Sequence, residues 1–235
     1  MRYAIYFTPA QTDPLTRTAA NWLGRDPFTG GTSPAPAVGD LTPAEVAFHT
    51  AAARRYGFHA TLKAPFRLAD GESEATLSKA METWAAGMAP VIIPRLAVKQ
   101  LDGFFALVPA EKLPDLNRLA DEVVVAFDRF RAPLTETEIE RRNPDALLPG
   151  QFRNLCQWGY PYVFEAFRFH MTLSGRAAEA EAPRLRAAIE AFFAPFLDKP
   201  VAVDGLALFV EPEAGAPFTV QSYHPLGNRR ERKFA

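Results

Sequence analysis

The chain is short of cysteine, histidine, net charge and long apolar runs. A single cysteine, Cys156, in 235 residues rules out a disulfide within the chain and points to a reducing compartment. Standing alone, Cys156 reads as a small packed side chain. No run reaches the roughly 18 apolar residues of a membrane span. The opening MRYAIYFTPA lacks the apolar stretch of a signal peptide. The expected location is therefore the cytoplasm, away from any membrane. The formal net charge is -1. Long nucleic acid is held by many Lys and Arg contacts to phosphate, and this balance offers no excess for it. No compact His, Asp, Glu or Cys cluster has metal-ligand spacing, so neither a metal nor a cofactor is expected.

What the chain does contain suits a packed core. Hydrophobic residues make up 48% and charged residues 23%, a composition able to bury a core without staples. Short alternating runs at 2–7, 56–68, 91–102, 103–110, 167–175, 201–212 and 217–226 read as strands. Asp102-Gly103 marks a tight hairpin turn. Segments 14–23, 41–53, 72–88, 114–130 and 178–197 read as helices, three of them with proline near the start. Residues 24–42 and 131–162 read as loops, and the last ten residues as a polar, basic, mobile tail.

The order of elements repeats. His170 lies 111 positions after His59, Val201 110 after Val91, and Phe218 113 after Phe105. Near-equal offsets point to an internal duplication, with approximate repeats 41–110 and 113–226 in one bilobal domain spanning 1–235. Lacking a regular βαβ alternation, the chain is expected to be α+β, each lobe an antiparallel sheet with helices and a cleft between them.

Matching places in the two halves carry His59-Ala60-Thr61-Leu62 and His170-Met171-Thr172-Leu173. In a strand, residues two apart share a face. Each motif then offers one imidazole and one hydroxyl on one side and sends two apolar side chains to the other. A single H-x-T carries little weight. Two of them with the same trailing leucine, in matching halves, carry much more. Cleaving a phosphodiester needs one proton taken and one given, and histidine does either near neutral pH. His59 and His170 are the candidate catalytic pair. Thr61 and Thr172 are candidate donors to the non-bridging oxygens.

Twin H-x-T-L motifs in a duplicated α+β chain resemble the 2H phosphoesterase superfamily. RRYGFHATLKAPF and WGYPYVFEAFRFHMTLSG look like a bacterial branch of it found with phosphonate-metabolism genes. The resemblance implies a bilobal fold with both motifs in a cleft, and metal-independent hydrolysis or formation of phosphodiester bonds. It implies His59 and His170 as acid and base, and Thr61 and Thr172 as phosphate binders.

Around the motifs, Lys63, Ser174, Arg168, Tyr6 and Tyr160 are candidate substrate contacts. Lys63 and Arg168 share a face with the motif histidines by strand count. Arg54 and Arg55 read as a solvated charge pair, and Tyr56 as a packing residue. His49 and His224 have no matched partner and read as structural. The loop 131–162 gathers Arg141, Arg142 and Arg153 with Phe152, Trp158 and Tyr160, a mixture suited to a phosphate and a ring. The expected partner is a small phosphorylated substrate with a cyclic or diester phosphate; oligomeric state is left open. Two other readings share the site: an RNA 2′,3′-cyclic phosphodiesterase or 2′–5′ ligase-like enzyme, and a non-catalytic nucleotide-binding or phosphate-binding module.

Overall fold

The computed structural model describes residues 1–227; the basic tail expected at the C-terminus falls, from 228 on, outside the described residues. Seven strands form one antiparallel sheet. In spatial order they are β4 (Leu96–Leu101), β5 (Phe104–Pro109), β6 (Met171–Arg176), β2 (Ala60–Phe66), β1 (Arg2–Phe7), β8 (Gly205–Glu211) and β9 (Thr219–Pro225). The remaining strands, β3 (Val91–Ile93) and β7 (Val201–Val203), pair with each other. The class is α+β with antiparallel strands, as expected. The two lobes are the two sides of one continuous sheet, joined between β2 and β6.

Helices α1 (Pro14–Leu23), α2 (Pro43–Arg54), α3 (Glu74–Ala86), α4 (Pro114–Ala126) and α7 (Ala182–Leu197) cover one face; α5 (Glu136–Glu140) and α6 (Pro149–Trp158) lie in the segment between α4 and β6. Their caps follow from local chemistry. Asp13 accepts from the Leu15 N–H at 2.7 Å at the start of α1. Thr42 and Glu45 form a reciprocal capping box at the start of α2. Apolar side chains of the sheet, such as Ile5, Leu62, Leu107, Leu173 and Leu208, meet Trp22, Val46, Met81, Leu119 and Phe193 in one core. Trp22 also donates through Nε1 to the Leu173 carbonyl at 2.8 Å, which ties α1 to the second motif strand. The other face carries a small cluster of Ala4, Tyr6, Ala207, Phe209 and Phe218, and beside it a cleft.

Proline and short-range turns account for the differences from the sequence reading. Pro94 has no N–H to give a ladder, so the run 91–102 splits into β3 and β4. The run 201–212 splits likewise at Asp204. Asp102 and Gly103 both take positive φ, 47° and 94°, as a two-residue hairpin demands. The loop 131–162 is partly helical, holding α5, α6 and a short 3-10 turn at Pro144–Ala146. Pro149 there begins a helix, in a stretch expected to be loop. Cys156 is exposed on α6 and is not packed inside. No helix among the described residues is long and apolar enough to cross a membrane.

The matched halves meet about a local two-fold. Ala60 pairs with Met171, each the residue after its motif histidine. β3 and β7, also matched in the repeat, pair antiparallel with Ile92 opposite Ala202. Beyond these pairs the symmetry lapses. Hairpin β4–β5 sits directly beside β6, whereas β8–β9 is separated from β2 by β1.

Candidate active site

The site begins at the β2–β6 seam. Ala60 and Met171 are fully buried on the helix side. Alternation then places His59, Thr61, His170 and Thr172 on the opposite face, and all four line one cavity of about 400 Å³. Continuing the Ala60–Met171 register sets each histidine opposite the other motif's threonine.

Both imidazoles are held in the same way. His59 Nδ1 lies 2.9 Å from the Gly57 carbonyl and His170 Nδ1 lies 2.7 Å from the Arg168 carbonyl, each two residues back. A carbonyl only accepts, so Nδ1 is the donor in both rings and Nε2 is left for proton exchange. Gly57 makes its turn at φ 74°, and a Cβ there would meet Pro27 at 2.6 Å. Tyr6 stacks on His59 with ring centroids 3.9 Å apart. Burial lowers the His59 pKa to about 4; the bond to Gly57 opposes this and the nearby His170 adds to it. Burial also lowers the His170 pKa; the Arg168 carbonyl opposes this, the Arg168 charge adds to it, and the Asp102 charge pushes back upward. Burial raises the phenol pKa values of Tyr6 and Tyr160.

The threonines and Ser174 differ. Neither threonine hydroxyl has a hydrogen-bond partner among the described residues. Ser174 borders the cavity, but its hydroxyl is committed. It accepts from the Phe105 N–H at 2.9 Å and donates to the Gly175 carbonyl at 2.8 Å, filling in where the β5–β6 register shifts. Ser174 is thus placed as a strand-pairing residue, against the expectation of a substrate contact.

Lys63 is a second correction. β1 advances one residue from Tyr6 to Ile5 while β2 advances two, from Thr61 to Lys63. This bulge turns Lys63 to the core side, and Ala64 and Pro65 border the cavity in its stead. Lys63 is only 3% exposed; its Nζ donates to Asp128 at 2.9 Å and to the Val124 carbonyl at 3.2 Å.

Tyr6 and Tyr160 line the cavity with the motif residues. Arg168 lines an adjoining hollow of about 270 Å³ together with His170. Several lining residues lay outside the sequence reading of the site: Arg2, Phe104 and Arg176 border the cavity, and so does Tyr56, stacked on Phe218. Of the basic and aromatic loop residues, Arg142 and Tyr160 reach it. Arg54 and Arg55 are not a solvated pair. Arg54 bonds the Leu23 and Ala47 carbonyls, and Arg55 joins Arg2 on the buried Glu211 carboxylate. His49 and His224 are buried away from the cavity. Among the described residues, no group of three or more His, Cys, Asp or Glu is placed to hold a metal ion.

A family model described as "Protein of unknown function (DUF1045)" matches residues 61–219. A curated protein named "Ribose 1,5-bisphosphate phosphokinase PhnN", from Janthinobacterium sp. (strain Marseille), is 38% identical over 98% of this chain and 52% of its own length. A protein of the same name from Laribacter hongkongensis (strain HLHK9) is 39% identical over 93% of this chain and 50% of its own. The chain thus spans about half the length of the curated relatives it matches. Among solved structures, one titled a crystal structure of phosphoesterase aligns over 97% of this chain and 99% of its own, at 15% identity and a TM-score of 0.43. E. coli LigT complexed with 3′-AMP aligns over 97% of this chain and 98% of its own, at 14% identity and a TM-score of 0.44. Likeness at that level is distant.

Proposed function

We propose that this chain, which belongs to the DUF1045 family, is a phosphodiesterase that opens a small cyclic or diester phosphate with His59 and His170 as its paired base and acid. One observation carries this reading: the two-fold arrangement about Ala60 and Met171. Two imidazoles, each with Nδ1 engaged by a carbonyl, share one cavity with two uncommitted threonine hydroxyls. A pure binding module has no need of two titrating groups held alike.

His59 is neutral at pH 7, because burial holds its pKa near 4. Its Nε2 takes the proton from water as the water oxygen bonds to phosphorus. We assign the complementary step to His170: in its protonated form it gives its proton to the ester oxygen as the P–O bond breaks; burial and the Arg168 charge lower its pKa, and Asp102 partly offsets them. Thr61 and Thr172 donate to the non-bridging oxygens. The leaving alcohol departs neutral, and the proton from water rests on His59.

The substrate class that best suits the site is a phosphorylated ribose, the kind of compound for which the half-matching relatives are named. The kinase in that name describes proteins twice this length. No glycine in this chain is followed by lysine, so the phosphate-cradling P-loop has no counterpart here. The formal charge of -1 favours a small substrate over an RNA polymer.

The test is turnover of adenosine 2′,3′-cyclic phosphate by the wild type, His59→Ala and His170→Ala. Each variant is expected to lose about a thousandfold in kcat/KM. A variant that keeps full activity would remove its histidine from the mechanism. EDTA is expected to leave the wild type unchanged, and loss of activity that zinc or magnesium restores would contradict the scheme.

A further inference from the structure

The two hollows of the site adjoin at His170: Thr61, Phe104, Tyr160, His170 and Arg176 border both. Arg2, held by Glu211, borders the first hollow, and three further arginines stand around the two, Arg142, Arg168 and Arg176, against one lining carboxylate, Asp102. Among the described residues none of the three is ion-paired.

Arg142 is the telling one. The other arginines that are at least partly buried all bond an oxygen of the protein. Arg2 and Arg55 meet Glu211, Arg67 meets Glu138, and Arg131 meets Asp128. Arg25, Arg54 and Arg186 meet backbone carbonyls. Arg142 is half-buried and has only the face of Tyr160, 4.9 Å away. A guanidinium drawn partly out of water without an oxygen partner is unfavourable, and its five-donor fork matches an oxyanion.

A phosphodiester has one ionisable oxygen, and two threonine hydroxyls already face it in the proposed scheme. The remaining arginines exceed what that charge requires. A phosphate monoester brings about -1.5 to -2 charges at pH 7 and three acceptor oxygens. We propose that the substrate carries a second phosphate, a monoester group, held by Arg142 and Arg176 at the Tyr160 end of the cavity. This rests on the phosphodiesterase reading for the first phosphate only.

The test compares adenosine 2′,3′-cyclic phosphate with the same compound bearing a 5′-phosphate. Wild type is expected to prefer the 5′-phosphorylated compound by roughly 100-fold in kcat/KM, and that ratio is expected to fall below about tenfold in Arg142→Gln and in Arg176→Gln. Equal turnover of the two compounds by wild type would overturn the second site. Binding of ribose 5-phosphate, followed by calorimetry, separates the two proposals. Its dissociation constant is expected to rise about tenfold in Arg142→Gln. If binding is unchanged in both variants, the second site is wrong, whatever is turned over. If neither diester is turned over while ribose 5-phosphate still depends on Arg142, the phosphodiesterase reading fails and the monoester site stands.

Discussion

The two motif strands carry the same four-residue chemistry in different surroundings. On β2, His59 is sandwiched into the aromatic cluster, stacked on Tyr6 and within 6.0 Å of the Phe209 ring. On β6, His170 has Phe104 at 5.7 Å as its ring neighbour and opens onto a hollow with Arg168 and Asp102. The carbonyl that orients each ring is in the same place, two residues back. Geometry is therefore shared and electrostatics are not. The two rings sit in different surroundings: one is kept neutral by burial, the other lies nearer to charges of both signs.

The comparison is sharpened first through pH, where the largest effect on stability is expected. Between about pH 6.5 and 4, the unfolded chain binds a proton at His59 that the folded chain refuses. Stability then rises with pH across that window and falls as pH is lowered through it. The full change is up to roughly 3 kcal/mol for a pKa moved from 6.5 to about 4. Urea unfolding at several pH values should show a shallower slope for His59→Gln than for the wild type. His170→Gln should remove less of the slope. Equal slopes for the two variants would break the proposed asymmetry.

The residues that follow the motif threonines give the next contrast. Lys63→Met removes a buried cation from Asp128, which keeps Arg131 at 2.8 Å. The expected loss is about 2 kcal/mol, less than the roughly 3–5 kcal/mol of a broken buried pair, because Arg131 still pairs with the remaining carboxylate. Ser174→Ala takes the hydroxyl from the Phe105 N–H and the Gly175 carbonyl, both neutral groups, and about 1 kcal/mol should go. Both changes should show in thermal melts. KM for the cyclic phosphate should hold in both, and a large rise in KM for Lys63→Met would return that lysine to the substrate.

Much of this was legible in the sequence, for reasons that are local. Pro14, Thr42 with Glu45, and Asp102-Gly103 mark ends and turns through their own backbone chemistry. The His-x-Thr spacing reports a shared face because strand alternation holds over three residues. It fails two residues later, since a bulge is set by the neighbouring strand, and so Lys63 was misplaced. Ser174 was misread for a related reason: the β5–β6 register shift that claims its hydroxyl is a property of two strands. Arg2 and Arg55 converge on Glu211 across 209 and 156 positions of the chain, a meeting that no local pattern announces. The exchange of hairpins between the two sides of the sheet is likewise a matter of tertiary pairing.

The central claim is that His59 and His170 act as one unit across the Ala60–Met171 seam. Its most direct test is the kcat/KM of His59→Ala, His170→Ala and the double variant on one cyclic phosphate. A concerted pair predicts that the double variant falls no more than about tenfold below the weaker single variant. Losses that multiply, so that the double variant falls by the product of the two single effects, would mean that the histidines act independently, and would contradict the account.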